Sequence, residues 1–113
     1  LRYCSGAARR PPLLAALGLA ISAGLAAAAS PVVIVQVNRA FSVADVRIHR
    51  GDSLRFLNQD DFDHQIFVES PAFNFESDEA SPGSEVDVRF TESGTFVVHC
   101  HIHPKMHLSV AVE

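Results

Sequence analysis

The chain has 113 residues, a formal net charge of −4 and only two cysteines, Cys4 and Cys100. Without Arg2, Arg9 and Arg10, which precede an apolar run, six Lys/Arg stand against thirteen Asp/Glu, a net charge of −7. That balance excludes a phosphate-backbone binder, so no nucleic acid is expected as a partner, and cationic surfaces are the attractive ones.

From Leu13 to Ala29 the chain is apolar apart from Ser22 and ends in Ala27-Ala28-Ala29, a small-x-small cleavage pattern. The run is short for a membrane span of about 20 residues, and alanine inserts weakly. Residues 1–29 therefore read as a cleaved secretory signal, with an uncleaved N-terminal anchor as the alternative. Pro11-Pro12 after Arg9-Arg10 favours general secretion over a twin-arginine route. Residues 30–113 then form one small domain, periplasmic or secreted, monomeric and with no membrane span after cleavage. Its lone cysteine, Cys100, cannot form an internal disulfide, and in an oxidising compartment a bound metal would protect the thiol.

The domain reads as β throughout. Val32 to Val37 is rich in β-branched residues. Phe41 to Ile48 alternates, with a bulge expected at Ala44-Asp45. Gly51-Asp52 marks a turn into Leu54, Phe56 and Asn58. The acidic loop Asp60-Asp61-Phe62-Asp63 delivers His64, and Ile66-Phe67-Val68 continues as a strand. Ala72 to Ser84 is aperiodic and reads as a long loop carrying Glu76, Asp78 and Glu79. Val86, Val88 and Phe90 alternate with charged residues, Thr95 to Cys100 is a strand, and Leu108, Val110 and Val112 mark the last one. Seven to eight short strands separated by turn signals predict an all-β sandwich.

Near the C-terminus, Cys100-His101-Ile102-His103-Pro104-Lys105-Met106 places a thiolate, an imidazole three residues on and the only methionine three further. Thiolate and imidazole bind copper strongly, and a thioether serves as a weak axial ligand. His64, opening a strand at the same end of the sandwich, supplies a second imidazole. His49 reads as a solvated residue. His99 should face away from Cys100 by strand alternation, and His101 and His107 flank the ligands. One cysteine with a methionine suits structural zinc poorly.

With Gly51-Asp52, Leu54-Arg55-Phe56 leading to Asn58, Asp60, His64 and the strand Thr95–Cys100, the chain from Phe41 to Glu113 resembles the cupredoxins. Its Cys-x-x-His-x-x-Met loop, with Pro104 directly after His103, is most similar to that of the amicyanins. The resemblance implies a single Greek-key β-sandwich and one type 1 copper ion held by His64, Cys100 and His103 in the plane and by Met106 on the axis. It implies an electron carrier, not an enzyme, that shuttles single electrons between redox partner proteins by cycling Cu(II)/Cu(I). Gln65 stands where the family has asparagine, and no glycine follows Met106. The alternative function is a periplasmic copper chaperone or buffer that uses His99, His101 and His107 as well. The string His99-Cys100-His101-Ile102 also looks like multicopper oxidases, but Lys105 stands where their second histidine falls, and no second His-x-His exists. The acidic groups Asp60, Asp61 and Asp63 beside His64 predict a partner with a basic surface.

Overall fold

The computed structural model describes residues 6–22 and 29–113; Cys4 and Ala27-Ala28 of the expected signal lie outside the described residues. Among the described residues there are nine strands: β1 Val32–Val37, β2 Ala40–Phe41, β3 Asp45–Ile48, β4 Ser53–Asn58, β5 Ile66–Val68, β6 Phe75–Glu76, β7 Glu85–Arg89, β8 Gly94–Cys100 and β9 His107–Val112. One sheet runs β2-β1-β4-β7 and the other β3-β9-β8-β5-β6. No helix of the described residues is long and apolar enough to cross a membrane.

Alternation sets which side chains turn inward. In β4, Leu54, Phe56 and Asn58 are buried while Ser53, Arg55 and Leu57 are only partly so. Facing them from the second sheet are Ile66, Val98, Leu108 and Val110, and the inner faces form one apolar core. Fully burying a side chain of this size stabilises the fold by about 1.5–3 kcal/mol. The expected sandwich is present, and the two shortest strands, β2 and β6, account for the count above seven.

Two sequence expectations are corrected. The stretch Phe41 to Ile48 is not one bulged strand. The chain leaves the first sheet after β2, and β3 pairs with β9 in the second. Residues 42–44 make the crossing, secured by Ser42, whose N–H donates to the Val35 carbonyl and whose hydroxyl accepts from the Val35 N–H. The segment Ala72 to Ser84 is not a free loop either. β6 pairs with β5, and Ala80 exchanges two backbone hydrogen bonds with His64, at 3.0 and 2.7 Å. Ser77 is buried there, its hydroxyl accepting from the Ile66 N–H.

A two-residue turn joins β1 to β2. Both Asn38 (φ 52°) and Arg39 (φ 55°) are left-handed, as a type I′ hairpin requires. Asparagine tolerates that region, but arginine does so at a cost. The Arg39 amide offsets it by donating to the Asp60 carboxylate at 2.7 Å.

Candidate metal centre

Three of the four predicted ligands converge. The donor atoms of His64, Cys100 and His103 all lie within 4.8 Å of one another. Cys100 ends β8 and stands opposite Ile66 in β5, so the strand carrying it is paired directly to the segment carrying His64. β8 and β9 remain paired as far as His99–His107, which pins both ends of the connection that bears His103. Within that connection the Met106 N–H donates to the His103 carbonyl at 3.0 Å, and Met106 itself is buried.

The two imidazoles present the same nitrogen. His64 Nδ1 lies 3.2 Å from His103 Nδ1 and 3.7 Å from Cys100 Sγ. The other nitrogen of His64, Nε2, lies 3.1 Å from Asp60 Oδ2, so it carries the proton and donates it to the carboxylate. That leaves the Nδ1 lone pair directed at the thiol and the second imidazole, as a carboxylate–histidine–metal arrangement requires. Burial lowers the His64 pKa and keeps the ring neutral; Asp60 opposes this in part. For Asp60, burial alone would push the carboxyl up. The amides of Arg39 and Asp61 and the His64 ring outweigh it and hold the group below its ordinary value.

Asn58 positions Asp60. Its buried carboxamide accepts from the Asp60 N–H and donates to the carbonyls of Phe62 and Ala80, each at 2.9 Å. One side chain at the end of β4 thus fixes the loop before His64 and Ala80, the residue bridged to it. Asp60 is 8% exposed, so it is not a docking charge. The acidic group expected beside His64 reduces at the surface to Asp61 and Asp63.

Gln65 does not reach across to the thiolate loop with its side chain. It donates instead to the Ser77 carbonyl at 3.0 Å. The two ligand segments are joined by the backbone, the His101 N–H donating to the Gln65 carbonyl at 2.9 Å.

The remaining histidines stay outside the cluster. His99 is half-buried on the face opposite Cys100, as alternation predicts, 5.4 Å from the Phe67 ring. His101 stacks on the same ring at 3.9 Å and lies near Glu76. His107 is exposed beside the Lys105 carbonyl, and His49 is exposed beside Asp52. Asn58, Asp60, Ala80 and Arg39 are the site residues that sequence reasoning missed as supports. An aspartate four residues before a predicted ligand histidine was the available signal for one of them.

The cupredoxin-like domain family matches residues 12–112, nearly the whole chain. The chain belongs to the cupredoxin-like family. Solved structures similar to this cupredoxin include a reduced mutant of amicyanin, at 21% identity and TM-score 0.69, over 77% of this chain and 86% of that one. A Cu(I) amicyanin mutant matches at 20% identity and TM-score 0.68 over the same shares. A copper-containing nitrite reductase from Thermus scotoductus matches at 27% identity and TM-score 0.69, over 93% of this chain but 28% of that enzyme. The amicyanin likeness shows the fold. No curated protein matches this cupredoxin in sequence.

Proposed function

We propose that the protein carries single electrons between redox partner proteins on one copper ion, which Nδ1 of His64 and His103 and the sulfurs of Cys100 and Met106 would hold. The observation that carries this reading is the cluster of two imidazole nitrogens and one thiol within 4.8 Å, with His64 already held in the tautomer that presents Nδ1. Two imidazoles, one thiolate and one weak thioether suit copper better than zinc or the hard cations. When bound, copper supplies reversible one-electron chemistry.

The protein's own residues keep that chemistry simple. With copper held by these four residues no position would be left open for a substrate, so the site would transfer electrons and transform nothing. Asp60, Asn58 and the Ala80 bridge hold His64 in place with little room to move. His103 is the partly exposed ligand, whereas His64 and Cys100 are buried, so His103 is where an electron leaves. His99, His101 and His107 add no donors to the cluster, which favours a carrier over a copper buffer. Residues 1–29 direct export to the periplasm or beyond and are removed there.

The test is spectroscopic. Cu(II)-loaded protein should show an intense visible thiolate-to-copper band and the paramagnetic resonance signature of a copper–thiolate site. Cys100→Ser should abolish both while the β-rich circular dichroism persists. A Cys100→Ser variant that keeps the band would take the thiolate out of the site and end this reading.

A further inference from the structure

The surface over His103 carries the wrong charge for an acidic protein. A depression of about 290 Å³ is lined by Arg39, Ile102, His103, Pro104 and Lys105. A second, of about 280 Å³, shares Arg39 and Lys105 with it. No carboxylate lines either one, and Asp61 and Asp63, flanking Phe62 in the chain, lie outside both. Among the described residues, Arg47 and Arg55 are paired with acids, whereas Arg39 and Lys105 enter no ion pair. Between the two cations the surface is apolar. Ile102 is 40% exposed and Phe62 is 42% exposed, the latter in edge contact with the His103 ring.

Arg39 is also held in place before any partner arrives. Its amide is fixed on Asp60, and its guanidinium carbon sits 4.1 Å from the centre of the Phe62 ring. A side chain already ordered loses less entropy on docking. At about 0.1 M salt, charges more than about 10 Å from the contact are largely screened. Groups beside the contact therefore outweigh the net charge of the whole domain.

We propose, building on the carrier reading above, that this face docks a redox protein whose own contact surface is apolar at its centre and carries carboxylates at its rim. The basic partner that composition predicted is disfavoured at this face, because Arg39 and Lys105 line both depressions and no carboxylate does. A second copy of this chain fits poorly, since a two-fold contact through this face would bring two Arg39–Lys105 pairs, four cations, together. An anionic membrane is also disfavoured, two cations falling short of the roughly four to eight that lipid surfaces capture.

The redox-inert trianion hexacyanochromate(III) is the first probe, read as paramagnetic broadening in amide spectra of the full domain at about 0.01 M ionic strength, where screening is weak. Broadening should centre on Arg39, Ile102 and Lys105. Its half-saturating concentration should rise about tenfold in Lys105→Glu and severalfold in Arg39→Gln, which keeps the backbone amide on Asp60. Broadening centred elsewhere, or unchanged by Lys105→Glu, overturns the proposal. No electron moves in this experiment, so it stands apart from the carrier reading, whose failure would show as a missing visible band. With copper bound, oxidation of the Cu(I) protein by hexacyanoferrate(III) should slow as salt rises, despite the acidic composition. A rate that climbs with salt would overturn the proposal, as would a dimer, or binding to phosphatidylglycerol vesicles, that Lys105→Glu abolishes.

Discussion

Replacing Asp60 by asparagine keeps the shape of the side chain and removes its charge, which isolates what the carboxylate does. Oδ2 accepts from the Arg39 amide and from His64 Nε2, and Oδ1 accepts from the Asp61 amide. Asparagine has one oxygen. Its best orientation turns that oxygen to Arg39 and His64 and sets its amide group against the Asp61 N–H. One partly buried hydrogen bond is then lost, at about 1 kcal/mol, and two charge-assisted bonds become neutral ones, at about 1 kcal/mol each. The expected loss is therefore about 2–3 kcal/mol, which at a urea dependence of about 1–1.5 kcal/mol per molar lowers the unfolding midpoint by about 2 M.

The assay is urea unfolding of the metal-free protein at neutral and acid pH. Hydrogen bonding holds the folded Asp60 pKa below its ordinary value of 3.8, against the upward push of burial. A depressed carboxyl stabilises the fold above its unfolded pKa, and that contribution is lost as the pH falls through the folded value. The gap between wild type and Asp60→Asn should therefore be full at neutral pH and close in acid below about 3.8. In the copper-loaded protein the same substitution should raise the reduction potential, because a negative charge behind the ligand stabilises Cu(II) over Cu(I). Equal midpoints at neutral pH, or a gap that persists unchanged in strong acid, would refute the assignment of Asp60 as the support of His64.

Met106→Leu should retain copper and raise the reduction potential, whereas Met106→Gln should lower it; an unchanged potential in protein-film voltammetry would make Met106 a core residue only. Leu108→Ala, at a fully buried position of β9, should cost about 2–5 kcal/mol in urea unfolding, and a loss under about 1 kcal/mol would contradict a shared core between the sheets. Burial depresses the His64 pKa below 6.5, so metal-free protein should lose stability as the pH falls from about 6.5, by at most about 1.4 kcal/mol per unit for this one proton. His64→Gln should flatten that slope in a series of urea titrations, and a slope the substitution leaves intact would assign it to another group.

The strands that alternate over five residues or more were legible because burial on one face dictates the pattern. β4, β7, β8 and β9 lie where the sequence places them, within a residue or so at each end. Phe41 to Ile48 misled because alternation survives a crossing between sheets. Both halves still turn apolar side chains toward the common core, so the pattern cannot tell one bent strand from two strands in different sheets. Ala72 to Ser84 misled for the opposite reason. Its order comes from backbone pairing and from the Ser77 hydroxyl, neither of which leaves a hydrophobic period.

The candidate ligands stood out in the sequence because their chemistry is rare. One cysteine, one methionine and a histidine at fixed spacing have few other uses. Their supports are common residues whose role depends on contacts between distant segments. By composition Asp60 belongs with Asp61 and Asp63 as a solvated acid. It is buried because three donors converge on it: an imidazole four residues on, the next amide in its own loop, and an amide from the β1–β2 turn. The last of these exists only because Asn38 and Arg39 take left-handed conformations in a tight hairpin. The same turn swings the Arg39 side chain over Phe62 and onto the surface above His103. A single hairpin therefore turns an apparent docking acid into a buried support and supplies one of the two cations that line the depression over His103.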